Sequence, residues 1–435
     1  MPAPHKPSAT EIFEGAKPAV MLVQVNLDIS TSFPQIVPNQ ARVDALVARI
    51  QALIRQGQIR SQAAADAYYQ DQLLADPGTY FAAGSARTTQ HVRSTSWGSG
   101  FLATPDGYLV TAAHVVAPDA QDLLQEVVDS ARQDDLQAVT DSLRKAFGVQ
   151  AQGLTAAQAL AFSQWELGFY KANVTVDTYS KEIFVGTGPT VYFNGRAPSF
   201  ALPAKEVVSG TTEPGKDVSI VKVDGSGFPA LALGSEATLS SRSSLYELGY
   251  PCLTCDPVAA PDSIDLAVSR GTPTGLRFED GWKAIGTNAA TDHGGSGGPV
   301  LDETGRVIGI VSFLESGGTF LVPSSVIREL TDKAGVKPAA GPTTSLYREG
   351  LADYYQHRYR AALPLFRRVL QLDHGHEYVS PFIATADIAL SHGKDQTPPD
   401  LSAFVLPVTG LLLFLFLGAV AVPTLAYGGR RQRAQ

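Results

Sequence analysis

Cysteine is all but missing. The 435 residues hold two, Cys252 and Cys255, in one C-x-x-C. Three readings of that pair stay open: a local disulfide in an exported loop, which is favoured, a redox motif, and a zinc site. No thioredoxin-like βαβ pattern surrounds it, which counts against the second. No further cysteine pair or spaced histidine pair appears, which counts against the third. A long basic run is also lacking; the one cluster is Arg430-Arg431-Gln432-Arg433. With a net charge of -8 and 17% charged residues, the chain offers nucleic acid no binding surface. Met1 to Thr10 is polar and proline-rich, with no apolar stretch that would read as a signal peptide. Export would then rest on the C-terminal segment or on a different start.

Against these absences stands His293-Gly294-Gly295-Ser296-Gly297-Gly298-Pro299-Val300. Four glycines around one serine make a poor core segment. They allow a tight turn whose N–H groups point at one spot, which suits a nucleophilic serine with an oxyanion hole made from its own backbone. Thr111-Ala112-Ala113-His114-Val115-Val116 places a histidine at a strand end, and Gly215-Lys216-Asp217-Val218-Ser219-Ile220-Val221 an aspartate where another strand begins.

Histidine, aspartate and serine in that order follow the chymotrypsin arrangement. The three stretches resemble the trypsin-like peptidases, and among them the HtrA-like (Do-type) branch. Thr287 to Ser296 resembles that branch's approach to its serine, and Gly249-Tyr250-Pro251 falls between the aspartate and serine motifs. The likeness covers 16–336, less two helical insertions at about 39–76 and 118–170, and no PDZ domain is legible after it. It implies a mainly β fold: two six-stranded antiparallel barrels with the site in the cleft between them. It also implies a serine endopeptidase acting on protein or peptide substrates, in quality control or processing. Ser296 would be the nucleophile, His114 the base, Asp217 its orienter, and the N–H groups of Gly294 and Ser296 the oxyanion hole; no metal or organic cofactor is implied. Ala290 stands six positions before Ser296, where trypsins carry the aspartate that receives basic side chains. With Thr291 it implies a substrate pocket for small or medium aliphatic residues. Gly295 carries no carboxylate, which argues against trypsin-type zymogen activation. The alternative from another class is a catalytically silent peptide-binding module at the cell surface.

Along the chain, Ala19 to Ile29 alternates as a half-buried strand, with Pro34 and Pro38 expected to end it. Asn39 and Ser61 open two helices of the first insertion, and Gly57 stops the first of them. Strand structure resumes at Trp97. Thr104-Pro105-Asp106-Gly107 forms a hairpin turn into Tyr108 to Thr111. From Pro118 to Tyr170 the spacing is helical, with a capping box at Thr155 to Gln158, and this insertion is a candidate lid. Asn173 to Val185 and Ala204 to Val208 are expected strands. Asn173-Val174-Thr175 matches a glycosylation acceptor. Ser324 or Ser325 is expected to cap a helix running to Lys333.

After a linker, residues 343–393 resemble one tetratricopeptide unit. Gly350, Tyr354, Ala362, Phe366 and Val369 fit its spacing, and a further helix is expected from Ser380 to His392. The unit offers a site for a protein partner. Residues 401–427 carry no charge, and a helix from Phe404 to Ala426 would rise roughly 34 Å, enough to span a bilayer. The basic tail at 428–435 then marks the cytoplasmic side, which makes the protein membrane-anchored with its protease domain extracytoplasmic. Leu406-Pro407-Val408-Thr409-Gly410 resembles a sortase signal, so linkage to the cell wall is the alternative.

Overall fold

The computed structural model describes residues 5–117, 155–194, 197–251, 262–315 and 318–398. The chain opens with helix α1 (Ala9–Ala16), closed at its start by a Ser8/Glu11 capping box. Its Ile12 and Ala16 join the core, so the fold begins ahead of residue 16.

Strand β1 (Val20–Pro38) pairs antiparallel with β2 (Phe81–Leu102) from Val20↔Phe101 to Pro38↔Phe81. Both run further than alternation indicates: β1 continues past Ile29 and through Pro34, and β2 starts well before Trp97. The register shifts between Pro34 and Ile36, and such a bulge accommodates a residue with no N–H to donate. Strands β3 (Tyr108–Thr111), β4 (Thr175–Gly186), β5 (Thr190–Asn194), β6 (Ala197–Pro198), β7 (Leu202–Ser209) and β8 (Ser219–Val223) follow. Six of the eight close a barrel in the order β1-β2-β3-β8-β7-β4. Val23, Val25, Leu27, Leu109, Val185 and Val221 fill it.

The second half has seven strands in its main sheet where six were expected. It begins with β9 (Leu245–Gly249), β10 (Ser263–Asp265), β11 (Ala267–Gly271), β12 (Pro273–Phe278) and β13 (Lys283–Thr287). After these come β14 (Pro299–Leu301), β15 (Val307–Glu315) and β16 (Gly318–Pro323). Seven of them form one sheet, β11-β9-β14-β15-β16-β13-β12. Its two edges, β11 and β12, are joined by Thr272 alone, so the sheet must curl until its ends meet. A chain turn rather than a hydrogen-bonded ladder brings them together. The extra strand is β12, zipped to β13 from Pro273↔Thr287 to Phe278↔Lys283. Short β10 pairs with β5 instead, in a three-stranded sheet completed by β6.

Helices α2 (Gln40–Arg55), α3 (Gln62–Ala75) and α4 (Pro77–Tyr80) join β1 to β2. Asn39 sits at the N-cap of α2 without a side-chain cap bond, whereas Ser61 caps α3 by accepting from the Ala64 N–H. After the one-turn helix α5 (Ala113–Val116), the described chain resumes with α6 (Ala156–Asn173) behind its Thr155/Gln158 capping box. The two insertions meet. Phe162 of α6 packs edge-on against Phe81, and both belong to a separate apolar cluster with Leu46, Ile50, Leu73 and Leu74. The helices thus form their own small core at the far end of the β1–β2 ribbon. Of the second insertion at about 118–170, the expected lid, residues 118–154 lie outside the described residues.

Helix α7 (Ser324–Lys333) follows β16. Its N-cap is Pro323, so neither serine caps it; the Ser324 hydroxyl donates to the Gly234 carbonyl and to Glu236. Helices α8 (Pro342–Tyr355), α9 (Tyr359–Leu372) and α10 (Val379–Ser391) pack as a three-helix segment. Gly350 is required there: a Cβ would meet the Phe366 ring at 2.6 Å. This segment does not stand alone. Arg348 of α8 donates to the carbonyls of Gly15, at 3.3 Å, and Gly305, at 2.9 Å. Thr344 exchanges hydrogen bonds with both backbone groups of Ala230. Cys252, Cys255 and 401–435, with the expected disulfide and membrane span, lie outside the described residues. Among the described residues no helix is long and apolar enough to cross a membrane.

Candidate active site

The histidine arrives from the β2–β3 hairpin. Gly107, at φ +99°, closes the Thr104-to-Gly107 turn, its N–H donating to the Thr104 carbonyl. Strand β3 then leads through buried Ala112 and Ala113 into α5, which carries His114. The aspartate comes from the loop before β8, where Asp217 is fully buried. One carboxylate oxygen, Oδ1, accepts from the His114 backbone N–H at 2.9 Å; Oδ2 lies 2.8 Å from His114 Nδ1. The Ser312 hydroxyl of β15 also donates to Oδ2, at 2.5 Å. Burial alone would raise the Asp217 carboxyl. The hydrogen bond and charge of His114, the Ser312 hydroxyl and the His114 N–H outweigh it and hold the group below the usual carboxylate range.

Ser296 sits in the turn before β14. Its Oγ donates to the Ser312 carbonyl at 3.3 Å. Ser312 therefore touches both the serine and the aspartate, and the three sequence-predicted residues come together around it. The turn is pinned from below by β2. Ser99 N–H donates to the Ser296 carbonyl at 2.7 Å, while Ser99 Oγ donates to the Gly294 carbonyl, also at 2.7 Å, and accepts from Tyr250 N–H. Gly297 has φ +84°, and a side chain there would strike the Ser99 carbonyl and the Thr111 hydroxyl. Among the described residues, the N–H groups of Gly295, Gly297 and Gly298 donate to Asp292, Val311 and Gly295 carbonyls. Those of Gly294 and Ser296, the predicted oxyanion donors, meet no acceptor there and are available to a ligand.

Ala290 is exposed and Thr291 half-buried, and the two lie on the approach to Ser296. The neighbouring wall holds a stacked Phe313–Phe320 pair, ring centres 5.0 Å apart, with the Arg277 guanidinium over both rings. Below the loop lies Glu247 of β9, buried; burial pushes its carboxyl up to about 7, against the Thr291 and Ser269 hydroxyls that favour the ion. Ser99, Ser312 and Glu247 were not legible as site residues. Ser99 had one signal, its place between two glycines. Ser312 and Glu247 sit inside apolar strands and had none. Among the described residues no cluster of side chains fits a metal ion.

Residues 98–310 match the trypsin-like peptidase domain family. That stretch, just under half of the chain, is similar to a trypsin-like peptidase domain. Among curated relatives, the serine protease HTRA1B of Danio rerio is 29% identical over 150 residues, covering 32% of this chain and 31% of that one. A probable periplasmic serine endoprotease, DegP-like, of Pseudomonas fluorescens is 30% identical over 138 residues, covering 30% of this chain and 28% of that one. The protease domain thus aligns with about a third or less of these relatives' length. Among solved structures, the HtrA-type protease AlgW with tripeptide aligns over 75% of this chain and 63% of its own, at 16% identity and a TM-score of 0.36. The serine endoprotease from Yersinia pestis covers 75% and 66%, at 14% identity and a TM-score of 0.35.

Proposed function

We propose that the protein is a serine endopeptidase of the HtrA type, working through His114, Asp217 and Ser296. The observation that carries this reading is the double contact of Ser312, to the buried carboxylate and to the serine. Ser296 Oγ attacks the scissile carbonyl, and its proton passes to the His114 nitrogen that faces away from Asp217. Asp217 holds the ring in that tautomer and stabilises the imidazolium. The alkoxide formed on the carbonyl oxygen is met by the Gly294 and Ser296 N–H groups; one such donor contributes about 3–4 kcal/mol in a comparable protease. Collapse expels the amine, which takes the proton back from His114. Water then repeats the sequence on the acyl-enzyme. A lowered Asp217 suits this role, because the group stays ionised while His114 cycles.

In the same proposal, Ala290 and Thr291 favour small or medium aliphatic side chains before the scissile bond. The segment 343–393 is a tetratricopeptide-like unit that offers a site to a protein partner; the tight Gly350–Phe366 approach supports the close helix pairing such a unit needs. Residues 401–427 anchor the protein in a membrane, with the protease domain outside and Cys252 and Cys255 free to pair. A fluorophosphonate probe tests the enzyme reading: it labels wild type at Ser296 and leaves Ser296→Ala unlabelled. An unlabelled wild type, or a Ser296→Ala variant within a few-fold of wild-type activity, overturns it. Intact mass of the surface-extracted protein tests the anchor; loss of 410–435 means sortase processing instead.

A further inference from the structure

Glu247 occupies a place where a carboxyl is costly. It lies mid-strand in β9, paired with Ser269 of β11 on one side and Val300 of β14 on the other, and is 4% exposed. Its Oε2 has no hydrogen-bond partner among the described residues. A buried carboxyl with an unmet oxygen destabilises a strand that a valine or leucine would suit better. Such a group calls for a role outside the fold.

Its surroundings indicate one. The Thr291 hydroxyl lies beside the Glu247 carboxyl and favours its ionised form. The same hydroxyl is packed against Gly295, where any side chain would overlap it. The next residue of β9 but one, Gly249, approaches the same peptide, with a Cβ there 3.4 Å from Gly295 Cα. Gly295 separates the two residues with free N–H groups, Gly294 and Ser296. The position before the serine carries no carboxylate of its own, yet a carboxyl lies under the same loop, supplied by the neighbouring strand.

We propose that Glu247 is a positioning residue for the reaction assigned above: its buried carboxyl holds Thr291 against Gly295, and so keeps the Gly294 and Ser296 N–H groups aimed at the oxyanion. The inference rests on the peptidase reading. Its ionisation lies in the working range, since burial pushes the carboxyl up to about 7. The charged groups on the elements around it are few. Arg270 of β11 points to the other face, its guanidinium over Tyr246 and donating to Ser244. In the loop, Asp292 accepts from the His293 N–H and His293 is exposed. Strand β14 offers only Pro299, Val300 and Leu301.

The test uses the full chain, fluorescein-labelled casein, a fluorophosphonate probe and thermal melting, with wild type, Glu247→Gln and Glu247→Leu. Glu247→Leu loses tenfold or more in kcat, keeps KM within twofold, and melts no lower than wild type. Glu247→Gln, which keeps an acceptor, regains part of that loss. On the acid side, log kcat/KM of wild type falls more steeply around pH 7 than that of Glu247→Gln, because protonating Glu247 adds a step no larger than the loss seen in Glu247→Leu. A Glu247→Leu variant within twofold of wild type, equal acid slopes, or a loss shared by kcat and KM with a lower melting temperature would each overturn the inference. A wild type that neither cleaves casein nor takes the probe sinks the peptidase reading instead.

Discussion

Replacing Ser312 with alanine removes one hydroxyl from the centre of the site and leaves its backbone carbonyl, the Ser296 contact, in place. The lost bond is short, 2.5 Å, and ends on a carboxylate with no solvent exposure. Hydrogen bonds to charged groups are worth about 1.5–3 kcal/mol, and a buried acceptor left short of a donor falls at the upper end. Stability at neutral pH should drop by that amount, or roughly 3–10 °C in melting temperature for a domain of this size. Catalysis should fall by about tenfold, and by no more than about a hundredfold if the whole bond energy is felt in the transition state. The pH dependence carries a sign. Asp217 is held below its ordinary value of 3.8 in the fold. Its bonds therefore stabilise above that value, and the contribution is lost as pH falls through the lower folded one. The gap between wild type and Ser312→Ala should be level from pH 8 to pH 5 and narrow only in stronger acid. Thermal melts across that range, with kcat/KM on a peptide substrate, check it. A melting shift under 1 °C at pH 8, or a gap that closes between pH 8 and pH 6, would refute the reasoning.

Gly297→Ala should cost more than the roughly 1–2 kcal/mol of left-handed backbone strain, because its methyl meets the Ser99 carbonyl; urea unfolding and probe labelling should fall together. Arg348→Ala removes two hydrogen bonds and the packing over Gly15, so the three-helix segment should loosen. Limited proteolysis then cuts within 337–341, while wild type resists. A peptide library cleaved by wild type should favour aliphatic residues before the scissile bond; a profile ruled by lysine or arginine would show that Ala290 does not shape the pocket.

The three residues that meet at the candidate site were legible because each carries a local demand the sequence must meet: glycines around Ser296, small Ala112 and Ala113 before His114, and an apolar strand after Asp217. Turns with fixed backbone needs were legible for the same reason, as at Gly107 and Gly57. The rest depends on partners distant in sequence. Strand β1 continues through Pro34 because β2 is there to pair with it, which no alternation within 19–29 can announce. Ser312 and Glu247 each look like a polar interruption of a buried strand until β8 and the loop at Thr291 are brought beside them. The strand count of the second half was not legible because β11 and β12 are split at Thr272 alone, and exposed side chains such as Leu276 and Phe278 give β12 no inward face to betray it.

The grip of Arg348 on Gly15 and Gly305 joins residues 333 apart in one direction and 43 in the other. A chain made from its N-terminus has already formed both grip points long before residue 348 appears. Until then α1 has no partner in α8, and the turn after β14 lacks its bond from Arg348 to Gly305. Contacts that span most of a chain close late. The chain therefore passes through a stage in synthesis with every candidate site residue present and its rear latch still open. A chain ending short of 342 would be fixed at that stage.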